Sequence, residues 1–156
     1  MNNLINKYSL NEIKQIISGK KILSVDFGLK RIGLAKCDAM HISLNPLVTL
    51  QFDENVNYNL AKIISDENIG IILIGIPIWH TNERRDFFDK MNEFVETLKK
   101  EINLPILFYD EAYSSKKGME YMIQSGKKKK YRQQKENLDK FAAAVILKSF
   151  LEEIEN

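Results

Sequence analysis

The sequence predicts a mixed α/β domain in which helices cover the faces of one sheet. Two short apolar segments, Ile22 to Val25 and Ile69 to Ile76, are rich in β-branched residues and are typical of buried strands. Three strand-like segments follow one another between residues 21 and 50, and helical and strand patterns then alternate. No repeat or low-complexity linker divides the 156 residues, so we expect one main domain.

Composition excludes several classes of protein and site. The formal net charge is only +2, so overall charge says little about partners. Cys37 is the sole cysteine, which excludes an internal disulfide and a cysteine-based zinc site, and two histidines are too few for a metal cage. No apolar run approaches the ~20 residues of a membrane span, and a signal-peptide pattern is missing. We expect a cytoplasmic protein with no membrane partner, present as a monomer or a weak homodimer.

Residues 1–20 are predicted to form a helical extension before a main domain over residues 21–156. Ser9 and Glu12 fit a capping box, and the chain has the small residue Gly19 where the helix should end. The apolar residues between them fall on one helical face. We interpret this segment as an amphipathic helix that packs on the domain, and the alternative is a helix that docks a partner.

The first hairpin carries the first candidate site residue. Asp26 ends the first strand, Gly28 would allow the positive φ that many hairpin turns require, and Gly33 leaves the second strand bare for a ligand or another backbone. An acid held at the end of a buried strand beside an open backbone can bind a cation or a phosphate. The alternative is that Asp26 merely begins a turn.

The remaining elements follow from periodicity and from their boundary residues. They are a third strand over residues 41–50 with an irregularity at Asn45-Pro46, a helix over 55–68, a parallel strand over 69–76, a helix over 83–102, a strand over 104–109, a helix from Ser114 or Ser115 to Gly126, and a last helix from about Glu136 to Ile154. Trp79 and His80 lie in the loop after the parallel strand, where α/β proteins bind ligands, although a lone loop histidine is more often solvated.

The last helix carries a second candidate acid, Asp139. At 100° per residue, Ile146 and Phe150 lie close to Asp139 on the wheel, whereas the lysines of this helix lie 100° or more away. Asp139 is therefore predicted to point into the protein. A buried carboxylate needs a cation, a proton or hydrogen-bond donors, so it either belongs to a site or is paired with Lys or Arg.

Three acids are predicted to meet at one edge of the sheet. Asp110-Glu111 ends a later parallel strand, at the same edge as Asp26, and Asp139 projects from a helix packed on the sheet. Because successive strand residues face opposite ways, we expect Glu111 to face the site and Asp110 to support it. Clustered carboxylates without His or Cys suit Mg²⁺ or Mn²⁺, which promote phosphodiester hydrolysis.

Basic residues concentrate in one segment just before Asp139. Eight basic residues and one acidic residue lie between Lys116 and Lys135, a local charge of +7. We expect a mobile cationic loop that neutralises backbone phosphates without reading sequence, although a lysine run is often only a solvated loop. The candidates are Lys127, Lys128, Lys129, Lys130, Arg132 and Lys135, together with Lys30 and Arg31 in the first hairpin.

Four motifs in order resemble the YqgF/RuvX family over roughly residues 21–152. They are Ser24-Val25-Asp26-Phe27-Gly28-Leu29-Lys30-Arg31-Ile32-Gly33-Leu34-Ala35 with Asp38, Gly75-Ile76-Pro77, Asp110-Glu111, and Leu138-Asp139-Lys140-Phe141-Ala142-Ala143-Ala144. The resemblance implies an RNase H-like fold and a nuclease, described as a Holliday-junction resolvase or as an enzyme that trims the 5′ end of precursor 16S ribosomal RNA. By position it implies that Asp26, Glu111 and Asp139 bind the metal.

The sequence departs from the family pattern at two places near these motifs. Ala112 stands where members often carry Arg, and the loop over residues 78–82 lacks the usual glycines and acidic residues. The predicted function is a metal-dependent nuclease on RNA or branched DNA, with Asp26 and Asp139 holding metal and Glu111 binding it or orienting water. A non-catalytic nucleic-acid-binding module is the alternative. An ATPase of the actin or sugar-kinase type would need a second lobe, for which the chain has no room.

Overall fold

The computed structural model describes residues 8–76, 85–111 and 114–155. Five strands and six helices appear in these ranges: α1 (Leu10–Ile17), β1 (Ile22–Asp26), β2 (Arg31–Cys37), β3 (Leu44–Gln51), α2 (Val56–Asp66), β4 (Ile71–Ile76), α3 (Arg85–Glu101), β5 (Ile106–Asp110), α4 (Ser114–Gln124), α5 (Lys129–Arg132) and α6 (Lys135–Glu155). Apart from α5, each element was predicted from the sequence. No helix in the described ranges has both the length and the apolar composition to cross a membrane.

The strands form one mixed sheet in the order β3-β2-β1-β4-β5. β1, β2 and β3 pair antiparallel as the predicted meander, whereas β1 with β4 and β4 with β5 pair parallel. A register shift between Leu34 and Ala35 faces the predicted irregularity at Pro46. The predicted fold class, a mixed five-stranded sheet flanked by helices, is therefore confirmed.

The two faces of the sheet are covered by different helices. On one face, side chains of β1 and β4 pack against α2 and α3 in a core that includes Leu23, Val25 and Phe94. On the other face, α6 crosses the sheet and packs against Ile22, Leu73 and Tyr109, among others. Residues Ala35, Ala143 and Ala144 form a third cluster, in which small side chains bring α6 close to β2.

α1 continues the α6 face of the sheet. The capping box is present: Ser9 Oγ accepts from the Glu12 amide at 3.2 Å, and Glu12 Oε2 accepts from the Ser9 amide at 2.6 Å. Ile13 and Ile17 are buried in the same core as the C-terminal half of α6. The short N-terminal helix that the sequence predicts is thus present.

The turns on either side of β2 differ from two expectations. Gly28 does not adopt a positive φ; it is required because a Cβ there would lie 2.6 Å from the carbonyl oxygen of Arg31. β3 begins at Leu44 rather than near His41, because Asp38 Oδ1 accepts from the Ile42 amide at 2.8 Å and holds a turn in which His41 has a φ of 59°.

Candidate functional site

The centre of the site is Asp26, the last residue of the central strand β1. Its side chain is half-buried and lies on the α6 face, because it alternates with Val25, which is buried in the opposite core. Its register partners on the two neighbouring strands are Gly33 of β2 and Gly75 of β4. Both neighbours of Asp26 therefore lack a side chain, and each provides space for a further acid.

Gly33 brings Asp139 to the site. A Cβ at Gly33 would lie 2.0 Å from the backbone carbonyl oxygen of Asp139 and 2.9 Å from the amide nitrogen of Lys140. Only glycine permits this contact between a helix and a strand backbone. Thr49, the register partner of Gly33 on β3, donates from Oγ1 to the carbonyl oxygen of Glu136 at 2.5 Å, which attaches the first turn of α6 to the sheet.

Gly75 brings Glu111 to the site. β4 lies between β1 and β5, so Asp26 and Glu111 do not lie on adjacent strands. A Cβ at Gly75 would lie 3.1 Å from Glu111 Cγ and 2.6 Å from Ile146 Cδ1, so the bare strand leaves room for Glu111. The Glu111 amide continues the ladder by donating to Ile76 at 2.9 Å.

Strand alternation separates the two acids that follow β5. Tyr109 is buried in the core beneath α6, whereas Phe108 packs against the opposite core. Continuing this alternation places Glu111 on the face of Asp26 and Asp110 on the other face. Asp110 therefore does not face Asp26.

The pKa of Asp26 indicates that the three acids interact with one another. Burial raises the pKa of Asp26 well above its ordinary value, and the carboxylates of Glu111 and Asp139 raise the pKa further. Among the described residues, however, no three His, Cys, Asp or Glu side chains are arranged as a metal-binding group. The three acids therefore lie close together, but they are not arranged as a complete set of metal ligands.

Arg31 is the charged partner of Asp139. Its Nε donates to Asp139 Oδ2 at 2.7 Å, and each side chain is 21% exposed. The helical wheel left open whether Asp139 belongs to a site or is paired with Lys or Arg. In this structure Asp139 is paired with an arginine. Sequence reasoning placed Arg31 among the nucleic-acid-binding candidates and missed this pair, although Arg31 lies two residues before Gly33 and so faces α6.

The basic segment is more ordered than the mobile loop that the sequence suggested. It contains the short helix α5, and Tyr131 anchors it: the Tyr131 ring packs edge-on against Phe141, and the Tyr131 carbonyl oxygen accepts from Asn137 Nδ2 at 2.9 Å. The ammonium groups of Lys127 and Lys140 lie 4.9 and 5.8 Å from the centre of the Tyr131 ring. Between residues 127 and 135 the exposed cations are Lys127, Lys128, Lys129, Lys130 and Lys135.

The remaining candidate residues say less about the site. Lys30 is exposed in the β1–β2 turn, and Arg132 is half-buried, with no hydrogen-bond partner for its Nε in the described part of the chain. Burial raises the pKa of Cys37 to about 11, so this thiol is not an ionised nucleophile. Trp79, His80 and Ala112 lie outside the described residues.

The mixed five-stranded sheet and the helices that cover its faces define the RNase H-like class. Thermus thermophilus RuvC, solved with a Holliday junction substrate, has a similar structure, with a TM-score of 0.58 and 13% identity over 86% of this chain and 96% of that one. Fowlpox virus resolvase, solved with Holliday junction DNA, gives a TM-score of 0.57 and 16% identity over 87% of this chain and 99% of that one. At these identities the likeness establishes the fold.

Sequence comparison identifies the family. A family model described as "RuvX: Holliday junction resolvase" matches residues 20–153, so the chain belongs to the RuvX family of nucleases. A relative from Amoebophilus asiaticus, named "Putative pre-16S rRNA nuclease", is 34% identical over 84% of this chain and 93% of its own length. A relative from Bacteroides fragilis with the same name is 34% identical over 85% of this chain and 96% of its own length.

Proposed function

We propose that this protein is a divalent-metal-dependent nuclease that processes the 5′ end of precursor 16S ribosomal RNA in the cytoplasm. The observation that carries the proposal is the meeting of Asp26, Glu111 and Asp139 on one face of the sheet, in a chain whose relatives are named for this activity. Residues 21–156 would form the nuclease domain and residues 1–20 a helical extension, in a monomer or a weak homodimer.

The donor chemistry of the three acids fits Mg²⁺ or Mn²⁺. Carboxylate oxygens are the ligands that these ions prefer, and the missing side chains at Gly33 and Gly75 let the backbone of Asp139 and the side chain of Glu111 approach the strands on either side of Asp26. Asp26 and Asp139 would hold the metal, and Glu111 would bind it or orient the attacking water. When bound, a divalent ion supplies water activation and stabilises the charge that develops on the phosphate oxygens.

The basic segment supports nucleic acid as the substrate. The ammonium groups of exposed Lys127 and of Lys140, the residue after Asp139, both lie over the ring of Tyr131, so the segment lies close to the start of α6. We expect residues 127–135, together with Lys30 and Arg31, to contact backbone phosphates. Such contacts fix the position of a strand without reading its sequence.

Branched DNA is the second candidate substrate. The matched family model is described as a Holliday junction resolvase, and both structural neighbours were solved with junction DNA. The chemistry at the site would be the same for both substrates, because phosphodiester hydrolysis is common to RNA and DNA.

Cleavage of two substrates in parallel tests the proposal. End-labelled precursor 16S RNA and a four-way DNA junction would each be incubated with Mn²⁺ or with EDTA. Wild type should cut the RNA only with metal, and Asp26→Asn should lose at least about 100-fold in rate because a metal ligand is lost. Asp89→Asn is the matched control, since Asp89 is an exposed residue of α3, on the other side of the sheet.

Each outcome leads to a different conclusion. Preferential cutting of the junction would replace RNA by branched DNA as the substrate. If neither substrate is cut while RNA still binds in a salt-sensitive manner, the protein is a binding module and the catalytic proposal is wrong.

A further inference from the structure

The Arg31–Asp139 ion pair joins two groups that the proposed function assigns to different ligands. Asp139 is a proposed metal ligand, whereas a guanidinium group is well suited to bind a backbone phosphate. The 2.7 Å bond from Nε to Oδ2 is short and charge-assisted, and both side chains remain 21% exposed. The pair is therefore sheltered enough to be stable and open enough to exchange its partners.

The surrounding geometry decides which of the two partners can move. The backbone of Asp139 is held against Gly33, and the hydrogen bond from Thr49 to the first turn of α6 fixes the helix nearby. Arg31, by contrast, is the first residue of β2 and carries a long side chain with several rotatable bonds. Asp139 must stay beside Asp26, so exchange of partners requires Arg31 to leave.

A divalent cation and the Arg31 guanidinium would compete for the same carboxylate. Both are positive, so a cation that binds between Asp26 and Asp139 would repel the guanidinium. The Asp139 carboxylate would then interact with the cation and attract Arg31 less strongly. Within the described part of the chain, Asp139 is the only salt-bridge partner of Arg31. A guanidinium released from Asp139 loses this partner, and a backbone phosphate can accept its hydrogen bonds instead.

We propose that Arg31 couples metal binding to nucleic-acid binding: it pairs with Asp139 in the metal-free protein and transfers to a backbone phosphate when a divalent cation occupies the site. This inference rests on the proposed function, because it needs both ligands. Linkage requires reciprocity, so metal strengthens nucleic-acid binding by the same factor by which nucleic acid strengthens metal binding.

A binding experiment without metal tests the release of Arg31 directly. The affinity for a fluorescein-labelled RNA hairpin would be measured by anisotropy in EDTA for wild type, Asp139→Asn and the matched control Asp26→Asn. Both variants replace an acid of the same cluster by its amide, and only Asp139→Asn removes the partner of Arg31. We expect Asp139→Asn to raise the affinity about fivefold or more over wild type, and more than Asp26→Asn does.

The same pair of variants in an Arg31→Gln background isolates the contribution of Arg31. The excess effect of Asp139→Asn should disappear there, because no guanidinium remains to be released. An excess that persists in this background, or equal effects of the two variants with Arg31 present, would overturn the inference. Circular dichroism and thermal melts would establish that each variant is folded, with Arg31→Lys as a milder replacement where needed.

Titration with Mn²⁺ alone separates this inference from the proposed function. Calorimetry without nucleic acid should show several-fold tighter Mn²⁺ binding by Arg31→Gln than by wild type, since a competing cation is lost. Weaker Mn²⁺ binding by Arg31→Gln than by wild type would overturn the proposed coupling. It would not contradict the proposed function if wild type cuts one of the substrates. A wild type that cuts neither substrate would refute the proposed function, whatever the affinities in EDTA.

Discussion

The two faces of the sheet differ in the side chains that the central strand β1 contributes to them. On the face covered by α2 and α3, β1 contributes Leu23 and Val25 to a core in which Phe27 packs against Phe52, Phe87 and Phe94 with ring centroids 5.2–5.3 Å apart. On the face covered by α6, β1 presents Ser24 and Asp26. Of the described residues, only Ser24 and Asn137 are buried polar residues, and both lie on the α6 side. Alternation along β1 thus places Val25 in the core beneath α2 and α3 and Asp26 at the site on the α6 face.

The largest effect on stability is expected on the apolar face. Leu23 is fully buried, so Leu23→Ala should lower the free energy of unfolding by about 2–5 kcal/mol, through lost transfer energy and the cavity left behind. Urea unfolding measures this change. Mn²⁺ affinity of the folded variant should stay at the wild-type value, and a parallel loss of Mn²⁺ affinity would show that the two faces are not separable.

A smaller loss of stability with a direct effect on the site is expected from Gly33→Ala. The added methyl group would overlap the Asp139 carbonyl oxygen, so α6 must shift, at a cost of about 1–3 kcal/mol. Because the shift moves Asp139, Mn²⁺ affinity should also fall. Gly19→Ala is the control: Gly19 has a φ of 70° and open space around it, so the substitution strains the backbone by about 1–2 kcal/mol without touching the site. Equal Mn²⁺ affinities in both variants would argue against close packing at Gly33 as the determinant of Asp139.

Ser24→Ala should instead stabilise the protein. The Ser24 hydroxyl is fully buried and has no hydrogen-bond partner among the described residues, so its removal relieves a desolvation penalty of about 1 kcal/mol. Denaturant unfolding of the two proteins measures the difference. A loss of stability would show that the hydroxyl has a partner, such as a buried water beneath α6.

The effect of Asp26→Asn on stability is expected to depend on pH. The pKa of Asp26 is raised in the folded state, so the folded protein holds this proton at pH values where the unfolded chain has lost it. Wild type without metal should therefore lose stability relative to Asp26→Asn as pH rises from the ordinary aspartate pKa through the raised one. Above the raised pKa the difference should be constant. Melts in EDTA across this range measure it, and a difference that does not change with pH would contradict a raised pKa.

Much of the fold could be predicted because its determinants are local. The period of two marks the strands, the period of 3.6 marks the helices, and Ser9 and Glu12 mark a helix start that the structure contains. The same periods place Asp26 at a strand end and put Glu111, rather than Asp110, on its face. The exception is α5, a single turn that is too short for periodicity to mark and is held by Tyr131 packing against Phe141.

The sequence by itself thus determined the elements, their faces and the three acids, since each depends on a residue and its near neighbours. Only the tertiary structure decided how the acids meet: β4 is inserted between β1 and β5, and Gly33 and Gly75 allow α6 and Glu111 to approach the strands beside Asp26. It also decided that Asp139 pairs with Arg31, which is 108 residues away in the chain. Such contacts depend on strand order and on the approach of a helix, and no local periodicity encodes either.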